Sequence, residues 1–194
     1  MTDRPTPATA ARIRPATVAD ADGIARVHVD TWRDAYAGII PDEVLAALDV
    51  DARAQRLREL LAGPDPFTTH VATRAGEVVG FVTFGPYRRQ TPGADPRTDL
   101  DPQVGEILAI YVHPAHQGAG VGRALMDAAV TELTGRGMTE VRLWVLAENG
   151  PSRRFYERYG LAPDGVCDTF QVRRADGTAV DLPEVRYARR LAAT

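Results

Sequence analysis

A single cysteine, Cys167, stands in a chain of 194 residues, so no internal disulfide can form and a cysteine-built zinc site is excluded. Cys167 is read as a packing residue or a lone nucleophile, and its sequence neighbours supply no evident base partner. No apolar run approaches the roughly 18 residues that suggest a membrane span. A basic excess is missing too: 23 Lys and Arg face 26 Asp and Glu, a formal net charge of -3. That balance lacks the cationic footprint of a nucleic-acid binder. The opening MTDRPTPATA has no apolar stretch of the kind a secretory signal needs. A cytoplasmic protein is therefore expected, with a flexible tail over residues 1–10 and one domain over 11–194. Repeats and long low-complexity segments are absent. What is present is an ordinary globular balance, 44% hydrophobic and 25% charged, in a chain long enough to bury a sizeable core.

Residues 11–14 read as a short first strand ended by Pro15. Thr17 with Asp20 resembles a capping box opening a helix. That helix carries Ile24, Val27, His28, Thr31, Trp32 and Ala35 on one face at spacings of three and four. Gly38 ends it, Pro41 suits the first turn of a second helix, and a third over about 51–62 turns Leu57, Leu60 and Leu61 inward. His70–Thr73 and Val78–Phe84 are β-rich around an Ala75-Gly76 turn. A long polar loop with four prolines is expected between Gly85 and Val104. Beyond it come a buried strand over 106–112, a Gly-rich turn, a helix over 120–133, a strand over 140–146 and a helix from Pro151 to Tyr159. Two last strands lie near 165–173 and 183–190, with Asp176-Gly177 turning between them. The order implies one α/β domain, a mixed sheet covered by helices.

The strongest chemical signal is His113-Pro-Ala-His-Gln117-Gly118-Ala119-Gly120-Val121-Gly122-Arg123, which joins an apolar strand to an amphipathic helix. Glycines there let the backbone approach a ligand and take unusual dihedrals. Unpaired first-turn amides and the helix dipole point at the same place, a cradle for phosphate oxygens. Glycines at 118, 120 and 122 do not make the G-x-G-x-x-G of a dinucleotide site, and the Gly-Lys-Ser/Thr of an NTP loop is absent. His113 and His116 form H-x-x-H, but Pro114 separates them and no metal-ligand set completes itself. No metal site is expected.

Glu106-Ile-Leu-Ala-Ile-Tyr-Val-His-Pro running into Gln117-x-x-Gly120-x-Gly122-Arg123 resembles the central motif of the GNAT superfamily of N-acetyltransferases. Val141–Leu146, Asn149 and Ser152-x-x-Phe155-Tyr156-x-x-Tyr159-Gly160-Leu161 resemble its second half. Ile13–Thr17 with Asp20 and Asp22 resembles its opening strand and helix. The resemblance implies a GNAT-like mixed sheet of six to seven strands with a splayed central strand, and acetyl-CoA as co-substrate. It implies that Ile110, Tyr111 and Val112 pair their backbone with the pantetheine arm, as an added strand would. The amides of Gly118, Ala119, Gly120, Val121, Gly122 and Arg123 would hold the pyrophosphate beside Gln117, and Asn149 would bond the pantetheine or the thioester region.

Acetylating an amine needs a base, an oxyanion donor and an acid. Glu106 is the candidate base, directly or through a water; its alternative is a Glu paired with an Arg or solvated at a strand end. The Val112 amide is the candidate oxyanion donor. Tyr156 is the candidate general acid for the departing thiolate, and its alternative is a core tyrosine beside Phe155 and Tyr159. Trp32 and Tyr36, four apart on the first helix, are either core contacts or the acceptor's wall. His28 is core or pocket wall. Asp95, Asp99 and Asp101 either attract a cationic amine or are simply solvated. Some protein N-terminal acetyltransferases of this superfamily carry a Glu on the following strand, where this chain has Trp144. The favoured acceptor is a small-molecule primary amine. A protein N-terminus or lysine, and a non-catalytic acyl-CoA-binding domain, are the alternatives. A homodimer through a free strand edge near the C-terminus is a further expectation.

Overall fold

The computed structural model describes residues 10–192, so the expected tail lies, Ala10 apart, outside the described residues. Seven strands form one mixed sheet in the order β1-β2-β3-β4-β5-β7-β6. They are β1 Arg12–Pro15, β2 Thr68–Arg74, β3 Glu77–Arg88, β4 Leu100–Val112, β5 Glu140–Leu146, β6 Ala162–Arg173 and β7 Ala179–Arg190. Five helices cover it: α1 Ala21–Ala35, α2 Asp42–Ala46, α3 Val50–Ala62, α4 Val121–Gly135 and α5 Gly150–Tyr159. Among the described residues no helix is long and apolar enough to cross a membrane.

The entry into α1 follows its sequence signal. Thr17 and Asp20 form a capping box around a 3₁₀ turn, Val18–Asp20, that leads into the helix. Asp20 also takes two bonds of 2.7 Å from Arg14 of β1. These bonds, against the opposing effect of burial, hold its carboxyl at about 2. Ile24, Val27 and His28 are buried along the expected face. In α3, Leu57 and Leu61 pack against that same cluster, but Leu60 is 38% exposed. Leu60 sits three positions after Leu57 and one before Leu61, and the short helix has room for only a narrow stripe on the sheet.

Ala75 and Gly76 both take positive φ, 51° and 89°, which suits the two-residue turn joining β2 to β3. The expected long loop over 85–104 is shorter than read, because β3 continues to Arg88 and β4 begins at Leu100, leaving 89–99 as the connection. Prolines hid this extension. Pro86 lies beyond the last β2 partner of β3, which is Phe84, so its missing N–H costs no bond on that side. Pro102 falls inside the register shift between Pro86 and Tyr87, where the ladder is already irregular.

The feature that places the site is a fork. Strand β4 pairs in parallel with β5 only from Val104↔Glu140 to Ile107↔Leu143. A second register shift falls at the same level: Phe84 faces Ile107 while Thr83 faces Ala109, leaving Leu108 as the extra residue. Such a bulge bends a strand and sharpens its twist. Beyond it, β4 runs on with β3 alone while β5 runs on with β7 alone. Helices α4 and α5 cover one face through Val121, Leu125, Met126, Leu133 and Tyr156, packed on Ile107, Val141, Leu143 and Tyr187. Helices α1 and α3 cover the other over Val71 and Phe81, with α2 beside Leu146, Val172 and Leu182.

Candidate active site

A cavity of about 1540 Å³ opens along this fork. A site for one drug-sized ligand occupies roughly 300–1,000 Å³, so the space accommodates two reactants side by side. One end is walled by Ile110, Tyr111 and Val112 of β4, by Gln117, Gly118, Gly120 and Arg123, and by Asn149 and Tyr156. The other is walled by Trp32, Tyr36, Arg88, Gln90, Trp144, Asp168, Phe170 and Glu184.

At the first end, Gly118 and Gly120 take positive φ, 73° and 78°, and Gly120 is the N-cap of α4. A Cβ built on either meets no protein atom within 4 Å, so packing does not require glycine there. Their conformation and the free space beside the helix terminus suit a bound anion. Gly122 differs: it is helical, and its built Cβ would make ordinary contact with Phe155 at 3.4 Å, so neither φ nor packing demands glycine there. Val121 and Gly122 also line the cavity, whereas Ala119 does not reach its wall. The side chain of Gln117 turns back to donate to the Val112 carbonyl at 3.1 Å, which also accepts from Thr31 at 3.3 Å. Gln117 thus braces the end of the free strand edge.

Asn149 is 3% exposed and caps α5, its Oδ1 accepting from the Ser152 amide at 3.2 Å. Pro151 inside the first turn and Gly160 at φ 95° after the last fix the ends of that helix. Two turns after the cap, Tyr156 is 8% exposed between Phe155 and Tyr187. Burial, with Tyr111 nearby, pushes its phenol above the ordinary value, so it stays protonated and able to donate at neutral pH.

Glu106 takes the Arg-paired arrangement that is the alternative to a solvated strand-end carboxylate. It is 1% exposed, and Arg88 rather than Glu106 reaches the cavity wall. Arg88 donates from Nη2 to Oε1 at 2.6 Å, from Nε to Oε2 at 3.0 Å, and from its backbone amide to Oε2 at 3.0 Å. Both carboxylate oxygens thereby accept hydrogen bonds, so the buried side chain is not left unpaired.

Trp32 and Tyr36 are both core and cavity-lining residues. They pack with Ile40 and Leu45 in the cluster under α2 and also line the cavity. Their rings lie 5.1 Å apart, edge to face, and Phe170 of β6 meets Trp32 at 6.2 Å. The Tyr36 and Tyr111 hydroxyls are 3.4 Å apart. His28 is buried against Trp32 and Tyr111, and burial lowers its imidazole to about 3, with Arg53 adding to the effect. It is neutral at any working pH. Asp95, Asp99 and Asp101 stay outside the cavity wall: Asp95 and Asp101 cap turns, and Asp99 and Asp101 lie within 4 Å of Arg89.

Arg88, Gln90, Asp168, Phe170 and Glu184 carry no local sequence signal that marks them as cavity residues. Gln90, a non-glycine residue at φ 59°, holds the tip of the β3–β4 hairpin onto β5 and β6. With its amide oriented to satisfy both neighbours, it donates to Asp168 at 2.8 Å and accepts from the Trp144 indole at 3.2 Å. Glu184 of β7 lies opposite Leu146, where β5 ends, and opposite Asp168 of β6. Desolvation first, and then the Asp168 charge, raise its carboxyl to about 7 against the countering pull of Arg88.

A family model described as the acetyltransferase (GNAT) family matches residues 28–161, which contain the fork, the glycine turn, Asn149 and Tyr156. The chain belongs to the GNAT acetyltransferase family. An uncharacterized N-acetyltransferase of Bacillus subtilis, YuaI, is 32% identical over 166 residues, covering 82% of this chain and 84% of its own. A mycothiol acetyltransferase of Beutenbergia cavernae is 44% identical over 66 residues, 34% of this chain and only 22% of that protein. Among solved structures, a PaiA N-acetyltransferase of Thermoplasma acidophilum in complex with coenzyme A superimposes with a TM-score of 0.69. That match is at 17% identity and covers 94% of this chain and all of the other. This GNAT protein is an acyltransferase with the seven-stranded mixed sheet of its structural neighbours.

Proposed function

We propose that this acyltransferase moves an acetyl group from acetyl-CoA to the primary amine of a small molecule, by direct attack within the forked cavity. The observation that carries the reading is the fork itself: a strand edge free from Leu108 to Val112, with the Gly118–Gly120 turn at one end and buried Tyr156 across it. In this reading the edge of β4 takes the amides of the pantetheine arm, and the first-turn amides of α4 take the pyrophosphate. Acetyl-CoA supplies the activated acyl carbon. Asn149 keeps its side-chain NH2 for the thioester region while its oxygen caps α5. The Val112 amide is the donor to the developing oxyanion. Tyr156 gives its proton to the departing sulfur.

The acceptor end supports a small molecule over a polypeptide. Trp32, Tyr36, Trp144 and Phe170 line it with aromatic faces and Gln90 stands beside Trp144, a lining suited to a compact amine with an apolar body. Thiol release from acetyl-CoA against tyramine, putrescine, free amino acids and a short peptide tests this. Turnover is expected with the small amines. Turnover with the peptide alone would move the reading to a protein N-terminus or lysine.

A further inference from the structure

Glu106 is bound through both oxygens by Arg88 and does not line the cavity, whereas a second carboxylate, Glu184, does. We propose that Glu184 is the general base, and that it selects acceptors arriving as cationic ammonium groups. The inference rests on the acetyl-transfer reading of the same cavity. Glu184 is half-buried in the cavity wall, on β7 across from Leu146, the residue after which the chain turns towards Asn149 and α5. It shares the acceptor end with Trp32, Tyr36, Trp144 and Phe170, which supply faces for the apolar body of the amine and for its charge.

The groups facing Glu184 set its proton affinity. Asp168 on β6 is its cross-strand partner, and Gln90 ties Asp168 in place. Arg88 on β3 opposes Asp168 but is itself engaged with Glu106 on β4. Just after α1, Tyr36 stays a neutral phenol within reach of the Glu184 charge. Two residues along β7, Arg186 is bound to Asp164 and Tyr87. The resulting carboxyl, at about 7, is charged often enough at neutral pH to take a proton and basic enough to hold it.

The protons balance as follows. Glu184 takes one proton from the incoming ammonium and frees the nitrogen lone pair. The nitrogen–carbon bond forms, the carbon–sulfur bond breaks, and Tyr156 protonates the sulfur. The second proton lost from nitrogen restores Tyr156 through water, and Glu184 releases its own to solvent. One proton leaves per amide formed.

The test compares wild type with Glu184→Gln in thiol release from acetyl-CoA, using tyramine and O-benzylhydroxylamine as acceptors. The alkoxyamine is unprotonated at neutral pH and needs no base to free its lone pair. Glu184→Gln is expected to lower kcat with tyramine about 100-fold. The fall with the alkoxyamine should be less than about 10-fold, and the acidic limb near pH 7 should vanish from the kcat/KM profile. Calorimetric affinity for acetyl-CoA and the melting temperature should match or exceed those of wild type. Equal losses with both acceptors, or a retained acidic limb, would overturn the role of Glu184 while leaving acetyl transfer intact. Absence of thiol release from wild type with either acceptor would overturn the acetyl-transfer reading, and this inference with it.

Discussion

Arg88 and Glu106 form a closed pair in which the carboxylate is sealed in the sheet and the guanidinium faces the cavity. The pair ties β3 to β4 one residue before the point where β4 parts from β5, so it stabilises the fork from which the site is built. Glu106→Gln leaves Arg88 without its counter-charge. The expected cost is about 3 kcal/mol, the lower end for a broken buried pair because Arg88 is a third exposed. Urea denaturation checks it. In the same variant the acidic limb of kcat/KM should persist, since the proposed base is Glu184.

Tyr156→Phe removes the proton for the departing sulfur and little else, because the ring stays packed between Phe155 and Tyr187. A fall in kcat of about 100-fold is expected, with acetyl-CoA affinity within a few-fold of wild type. Stopped-flow thiol release and calorimetry separate the two effects. An unchanged kcat would take Tyr156 out of the reaction.

Gly120→Ala forces an alanine to φ 78° at the N-cap of α4. Strain of about 1–2 kcal/mol is expected in the free protein. The added methyl meets no protein atom, so a separate rise of 10-fold or more in the Kd for acetyl-CoA would report directly on a ligand in that space. Equal stability loss with unaltered affinity would mean that the turn holds nothing.

Asp20 links pH to stability through a different part of the fold. Its carboxyl sits at about 2 when folded, lowered mainly by Arg14. A depressed carboxyl contributes stability above its unfolded value near 3.9. That contribution, on the order of 2 kcal/mol, is lost as pH falls towards 2. Asp20→Asn should therefore be less stable than wild type at pH 7 and close to it at pH 2. A constant difference across that range would detach the Arg14 pair from acid sensitivity.

Most of the fold was legible because its signals are local. The Thr17/Asp20 box, the Ala75-Gly76 turn, the glycines at 118 and 120 and the Asn149–Gly160 helix each announce themselves within a dozen residues. The end of the cavity proposed for acetyl-CoA is built from those same segments. The other end is built from pairings between distant strands. Nothing near Glu184 in the sequence says that Leu146 and Asp168 will flank it, and nothing near Arg88 says that Glu106 will occupy it. Pro86 and Pro102 concealed the long β3–β4 hairpin, and with it the contribution of Gln90 to the pocket.

The most direct measurement of the central claim is label transfer in a single turnover. Acetyl-CoA carrying an isotopic acetyl label is mixed with excess wild-type protein and a primary amine such as tyramine, and the products are resolved by mass. The account predicts labelled N-acetylamine and free coenzyme A in equal amounts, formed at least 10-fold more slowly by Tyr156→Phe. Acetyl-CoA that binds but keeps its label in the presence of every small amine and peptide supplied would contradict it, and would make the cavity an acyl-CoA-binding site without transfer.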